Sequence, residues 1–207
     1  MLAYGSVFHL LPRLRYENAV KLLNSGDLTR AHTALESVGT YRDAPELLLS
    51  CTYLQAQELL EKGDEVSLRE ASVTFGELGD YRDSADQKRQ ADYLRACLLL
   101  ESGRADAAES LFLTLGEDYQ DTAERLKRCD YLQAQALAEA GEWTAAQAAF
   151  EALGDYSDAA AQAAAAALKV AEQLLKAGDY IDARTILNDL DQSDSGVLRA
   201  RHMASYL

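Results

Sequence analysis

The sequence predicts an all-α fold, an α–α solenoid of about five helix-turn-helix repeats, and three observations carry that prediction. Five glycines, Gly26, Gly63, Gly103, Gly141 and Gly178, recur at intervals of 37, 40, 38 and 37 residues. Apolar residues around each glycine follow the three- and four-residue offsets that trace one face of a helix. Only two prolines occur in 207 residues, and long stretches of Ala, Leu, Glu and Gln supply side chains that lose little freedom on becoming helical.

The first helix of each repeat lies before its glycine. Seven residues upstream stands Ala19, Ala56, Ala96, Ala134 or Ala171, and four upstream Leu22, Leu59, Leu99, Leu137 or Leu174. Ten upstream come Tyr16, Tyr53, Tyr93 and Tyr131, with Leu168 in the last copy. These offsets predict long helices over 41–61, 81–102, 119–140, 156–177 and 192–207, each about 30 Å long at helical rise. A further helix starts at or before Pro12, which suits a first turn and not a helix interior.

The second helix follows the glycine. Ala31, Ala108, Ala146 and Ala183 stand five residues on, Leu35, Phe112, Phe150 and Leu187 nine on, and Val38, Leu115, Leu153 and Leu190 twelve on. Three extra residues in the second copy give Ala71, Phe75 and Leu78 the same places. Short helices are therefore predicted over 27–38, 65–78, 105–115, 143–153 and 180–189, with a small residue where the partner helix approaches.

Gly39, Gly79, Gly116 and Gly154 end the short helices, where a left-handed cap suits a residue without a side chain. Thr40, Asp80, Asp118, Asp155 and Asp191 then read as caps of the next helix. Asp43, Asp83, Asp121, Asp158 and Asp194, three residues later, read as charges set against its dipole. The chain divides into one array with repeats near 1–39, 40–79, 80–116, 117–154 and 155–190. Residues 191–207 are either a capping helix, through Ala200, Met203 and Leu207, or the start of a continuing chain.

Composition narrows the function. Against 20 Lys and Arg stand 34 Asp and Glu, a formal charge of −14. Nucleic acid and anionic membranes need clustered basic residues to displace counterions, and here those residues are scattered among carboxylates, so both are disfavoured as partners. No apolar run approaches the roughly 18 residues of a membrane span. The opening stretch Met1–Leu11 is apolar but lacks the basic start and small-residue cleavage site of a signal peptide. Cys51, Cys97 and Cys129 are far apart and show no Cys-x-x-Cys spacing; they read as small buried hydrophobes in a reducing, cytoplasmic compartment.

Motifs of chemistry are missing. His9, His32 and His202 are not spaced as zinc ligands, and no phosphate-binding glycine loop or nucleophile elbow occurs. The paired aspartates of each turn recur at every helix start, which fits capping better than catalysis or calcium binding. Trp143 takes the ordinary aromatic place after a repeat glycine and reads as packing. The expectation is a protein with no catalytic, metal or cofactor site.

Tyr131, Ala134, Leu137, Gly141, Glu142, Trp143, Ala146 and Phe150 resemble the tetratricopeptide repeat consensus, and Gly178, Asp179, Tyr180 and Ala183 repeat its central turn. The resemblance covers residues 13–190. The period is longer than the family's 34, a Gly-Asp-Tyr-x-Asp turn replaces the Pro-containing linker, and the family's first-helix Trp and Leu positions are polar here. This variant is similar to repeats in many uncharacterised bacterial proteins.

The resemblance implies a concave groove lined by the first helices that binds a peptide or protein. Carried over by position, the groove shows Tyr53, Tyr93 and Tyr131, then Gln57 and Gln135, then Glu61, Glu101 and Glu139. The Lys and Asn clamp that some members use for a terminal carboxylate is absent. Two readings of the tyrosines stand: a ladder that, with the glutamates, holds a segment bearing Lys or Arg, or packing residues between stacked helix pairs, as aromatic stripes usually are. The expected function is a non-catalytic protein-interaction scaffold. The alternative is a structural spacer or regulatory arm of a larger protein, an envelope-associated one included.

Overall fold

The computed structural model describes residues 4–191 and 193–206, with side chains for 11–191 and 193–205. The side chain of His9 and all of Leu207 lie outside the described residues, as do the side chains of the apolar opening stretch up to residue 10. Among the described residues there are eleven helices and no strand, so the fold is all-α. Consecutive helices pack on one another, as in an α-solenoid. They gather into two compact units, residues 1–99 and 100–207.

The first unit holds α1 (Tyr4–Asn24), α2 (Leu28–Val38), α3 (Ala44–Lys62), α4 (Glu65–Leu78) and most of α5 (Ser84–Glu101). Its core has two centres, one around Ala19, Ala31, Leu35 and Cys51 and one around Tyr53, Ala56, Ala71 and Phe75. The repeat alanines Ala19, Ala31, Ala56 and Ala71 are fully buried. Their lack of bulk lets the paired helix axes approach to about 8–10 Å, while Leu35 and Phe75 fill the space beside them.

The second unit holds α6 (Ala105–Leu115), α7 (Thr122–Glu139), α8 (Trp143–Leu153), α9 (Ala159–Ala177), α10 (Tyr180–Asp189) and α11 (Ser195–Tyr206). It repeats the scheme with Ala134, Ala146 and Phe150 in one centre and Ala171, Ala183 and Leu187 in the next. Trp143 packs against the first of these, as expected. Val197, Ala200 and Ala204 place α11 on the second, whereas Met203, expected on the same face, is 57% exposed.

The short helices fall where the sequence places them, but the long ones begin three residues later than expected. The cause is the segment Tyr-Arg-Asp and its equivalents. The amides of Ala44, Ser84, Thr122 and Ala159 close a turn onto the carbonyls of Tyr41, Tyr81, Tyr119 and Tyr156. Within it Arg42, Arg82, Gln120 and Ser157 take φ between 50° and 53°. A helix cannot pass through such a residue. Asp43, Asp121 and Asp158 thus sit at the N-cap, the place expected for Thr40, Asp118 and Asp155, and none of the three caps with its side chain.

Two further expectations are corrected. Gly39, Gly79 and Gly154 have positive φ, yet ψ of −125°, −120° and −121° puts them outside the left-handed helical cap. That combination is open to glycine and strained for other residues. Pro12 lies inside α1, well beyond its first turn.

Candidate functional site

The tyrosine stripe is where the predicted site and the packing meet. Tyr53 and Tyr131 are each 5% exposed and Tyr93 8%, so the rings lie inside. Tyr53 stands edge-on to Phe75 of its own helix pair and to Tyr81 of the following turn, with ring centroids 5.6 and 6.0 Å away. Tyr131 repeats this with Phe150 and Tyr156 at 5.7 and 6.0 Å. Such edge-to-face pairs contribute beyond their buried area.

The hydroxyls of Tyr16, Tyr53 and Tyr131 reach forward to the next turn. Tyr16 Oη donates to Asp43 Oδ1 at 2.5 Å, Tyr53 Oη to Asp83 Oδ1 at 2.5 Å, and Tyr131 Oη to Asp158 Oδ1. The carboxylate's second oxygen accepts from the amide four residues on, Gln87 to Asp83 at 2.9 Å and Gln162 to Asp158 at 3.0 Å. Behind the tyrosine, Gln57 and Gln135 donate to the Tyr53 and Tyr131 hydroxyls at 3.1 and 3.2 Å. Tyr53 with Gln57, and Tyr131 with Gln135, are thus each joined in a relay that ends on an aspartate. Because a carboxylate accepts a hydrogen bond from the neutral phenol, Tyr53 and Tyr131 are pushed above the usual tyrosine value. By the same bond, helped by Gln87 and Gln162, Asp83 and Asp158 are held below the usual carboxylate value.

A cation stands beside these same three tyrosines. Arg82 lies over the Tyr53 and Tyr81 rings, 5.0 and 5.1 Å from their centroids, and Arg42 lies over Tyr16 and Tyr41. Where the turn carries Ser157, Arg128 of α7 stands over Tyr131 at 5.7 Å. The forward role of the aspartates was missed because the relay joins residues 27 to 30 apart. A signal did exist, since aspartate recurs in each turn that follows a tyrosine-bearing helix. The exception is informative: Leu168 replaces the tyrosine, and Asp194 then caps its own helix through the Gly196 and Val197 amides at 2.6 and 3.1 Å.

The predicted glutamates behave differently. Glu61, Glu101 and Glu139 are exposed, each near the end of a long helix. In the first unit Glu61 and Gln57 line a cavity of about 330 Å³ with Leu23, Leu28, Leu54 and Glu58. Asn24 and Gly26 complete the lining, and neither Glu58 nor Glu61 has a basic partner among the described residues. In the second unit Gly103, Ala105, Leu132 and Ala136 line a cavity of the same size at the corresponding turn, with Arg104 and Asp106 on it.

Nothing reactive stands out elsewhere. The three cysteines form no disulfide; Cys51 and Cys129 are buried and Cys97 half-buried. Burial, then the charges of Glu109, Asp130 and Asp106, push the Cys129 thiol up to about 11, which keeps it protonated at neutral pH. Among the described residues no group of three or more His, Cys, Asp and Glu is placed to hold a metal ion, and no helix is long and apolar enough to cross a membrane. No protein-family model matches the chain, and no curated protein matches it either.

Proposed function

We propose that the chain is a non-catalytic, tetratricopeptide-like interaction scaffold of a reducing, cytoplasmic compartment that holds a basic segment of a partner protein along its first helices. The observation that carries this is the α3 cavity, where Glu58 and Glu61, without basic partners among the described residues, stand over an apolar floor of Leu23, Leu28 and Leu54. A Lys or Arg side chain lays its methylene stem on such a floor and leaves its charge among the carboxylates. The net charge of −14 draws a basic partner in over a longer range. Tyr53 and Tyr131 support the groove from within, since their rings and hydroxyls are already engaged.

The test follows from that division of labour. Replacing Tyr53 or Tyr131 by Ala would hollow the core and confuse folding with binding. Glu58→Lys with Glu61→Lys changes only exposed charge. Partners captured by the purified chain and identified by mass spectrometry are expected to be lost from this variant while its helical circular dichroism is unchanged; capture at the wild-type level would refute the reading.

A further inference from the structure

The junctions between a short helix and the long helix after it are filled differently in each copy. Three places meet there: the residue after the short-helix alanine, and the residues five and one before the tyrosine place. At α4–α5 they are Ser72, Lys88 and Asp92, joined in a network in which Ser72 Oγ donates to Asp92 Oδ1 at 2.6 Å and Lys88 Nζ to Oδ2 at 2.5 Å. At α2–α3 they are His32, Leu48 and Thr52, and at α6–α7 Glu109, Leu126 and Asp130. At α8–α9 they are Gln147, Ala163 and Ala167.

The alanines of α9 put little side chain into the last of these places, where Ala163 and Ala167 are 7% and 4% exposed beside the exposed Ala160 and Ala164. A cavity of about 490 Å³ lies between α8, α9 and α10, within the range of ligand-sized sites. Ala160, Ala163, Ala164 and Ala167 form its floor, with Phe150, Ile186 and Leu190 as apolar walls. The charged groups on it are all carboxylates: Glu151, Asp155 and Asp189. Glu151 accepts from Gln147 at 2.8 Å, and none of the three carboxylates has a basic partner among the described residues.

We infer that this α8–α9–α10 cavity is a second docking site, which receives an amphipathic basic segment of a partner protein, one bulky apolar side chain on the alanine floor and flanking Lys or Arg on Glu151, Asp155 and Asp189. Charge complementarity selects the occupant. An anion meets three negative groups, and among the lining side chains the amide of Gln147 is the one hydrogen-bond donor. A purely apolar ligand leaves those groups uncompensated at its edge. The site is formed by the short helices and the start of α9, so it stands independently of the α3 cavity.

The probe is a labelled, amidated Leu–Lys peptide with apolar and basic faces, titrated by fluorescence polarisation at low salt into the full chain carrying Glu58→Lys and Glu61→Lys, so that the α3 cavity does not compete. Saturable binding is expected, weakened about tenfold or more in Ala163→Leu, which fills the floor. Leu48 and Leu126 occupy the same register in other copies, so this variant is expected to melt no lower than the wild type. Asp155→Lys with Asp189→Lys, both exposed, is expected to weaken binding to a similar degree without touching the core. Unaltered binding by the Ala163→Leu and Asp155→Lys/Asp189→Lys variants overturns the inference. So does equal binding of a peptide with Ser in place of Leu, which would show charge attraction alone. Saturation by phenethylamine at the same concentration overturns it too, by making the cavity a small-amine site.

Discussion

Tyr53 and Asp83 are thirty residues apart in the chain, and their side chains meet at 2.5 Å through one hydrogen bond that ties a long helix to the turn opening the next. A neutral donor on a charged acceptor contributes more than an ordinary hydrogen bond. Tyr53→Phe keeps the ring between Phe75 and Tyr81 and removes only the hydroxyl. The expected loss is about 1–2 kcal/mol of unfolding free energy by urea titration. A loss below the error of the titration would show that Asp83, once released, is satisfied as well by capping its own helix.

The same relay sets a pH window. Tyr53 and Tyr131 are raised above the ordinary 10.0, so their contribution is complete below pH about 10 and is lost as pH rises through the raised folded values. Asp83 and Asp158 are lowered below 3.8, so theirs is complete above pH about 4 and is lost as pH falls through the lowered values. The melting temperature is expected to fall on both sides of that window. Tyr53→Phe with Tyr131→Phe should flatten the alkaline fall, and an unchanged alkaline limb would exclude the tyrosines as its cause.

Two turn positions carry opposite strain. Gly79 has φ 55° and ψ −120°, with open space where a Cβ would stand. Gly79→Ala therefore costs conformational energy without a clash, about 1–3 kcal/mol. Ser157 has φ 53° and is exposed. Ser157→Gly is expected to gain up to about 1 kcal/mol, less the extra freedom glycine has when unfolded. Thermal melts of both variants measure the pair, and the wrong sign in either would refute the account of the turn.

Buried hydroxyls at equivalent places also separate. Ser84 Oγ donates to the Tyr81 carbonyl at 2.6 Å, while Thr122 Oγ1, fully buried, finds no hydrogen-bond partner among the described residues. Ala44 and Ala159 hold the same place in other copies. Ser84→Ala should lose about 0.5–1.5 kcal/mol, and Thr122→Ala should lose little or gain stability. Chemical denaturation of the two side by side decides the matter.

The polar junction at Asp92 gives a test by transplantation. Lys88→Leu alone leaves the nearly buried Asp92 carboxylate with Ser72 as its remaining partner among the described residues and is expected to destabilise by about 1–3 kcal/mol. Lys88→Leu with Asp92→Thr reproduces the Leu48 and Thr52 pair of α3 and should recover most of that loss. A double variant no more stable than the single one would mean that the copies are not interchangeable at this place.

Much of this architecture is legible in the sequence because it rests on local period. Ala56 and Ala71, or Ala134 and Ala146, declare the helix pairs by offset from one glycine, and the short helices follow to within a residue. The start of each long helix is not legible in that way. Asp80 and Asp83 both look like caps, and only the positive φ of Arg82 shows which precedes the helix. The relay from Tyr53 to Asp83 hides for a different reason, since a bond over thirty residues leaves no local period. The α9 cavity is visible in the sequence only as a run of alanines, a pattern that equally describes a stable helix.

The place held by Leu168 has a mechanical meaning. At Tyr16, Tyr53 and Tyr131, pulling on the following turn strains a hydrogen bond rooted in the helix before it, so the pairs these bonds join open together. Leu168 offers no such bond, and Asp194 serves only its own helix. The twelve residues of α11 are therefore the ones free to fray alone, exchanging their amide protons while the pairs behind them stay closed.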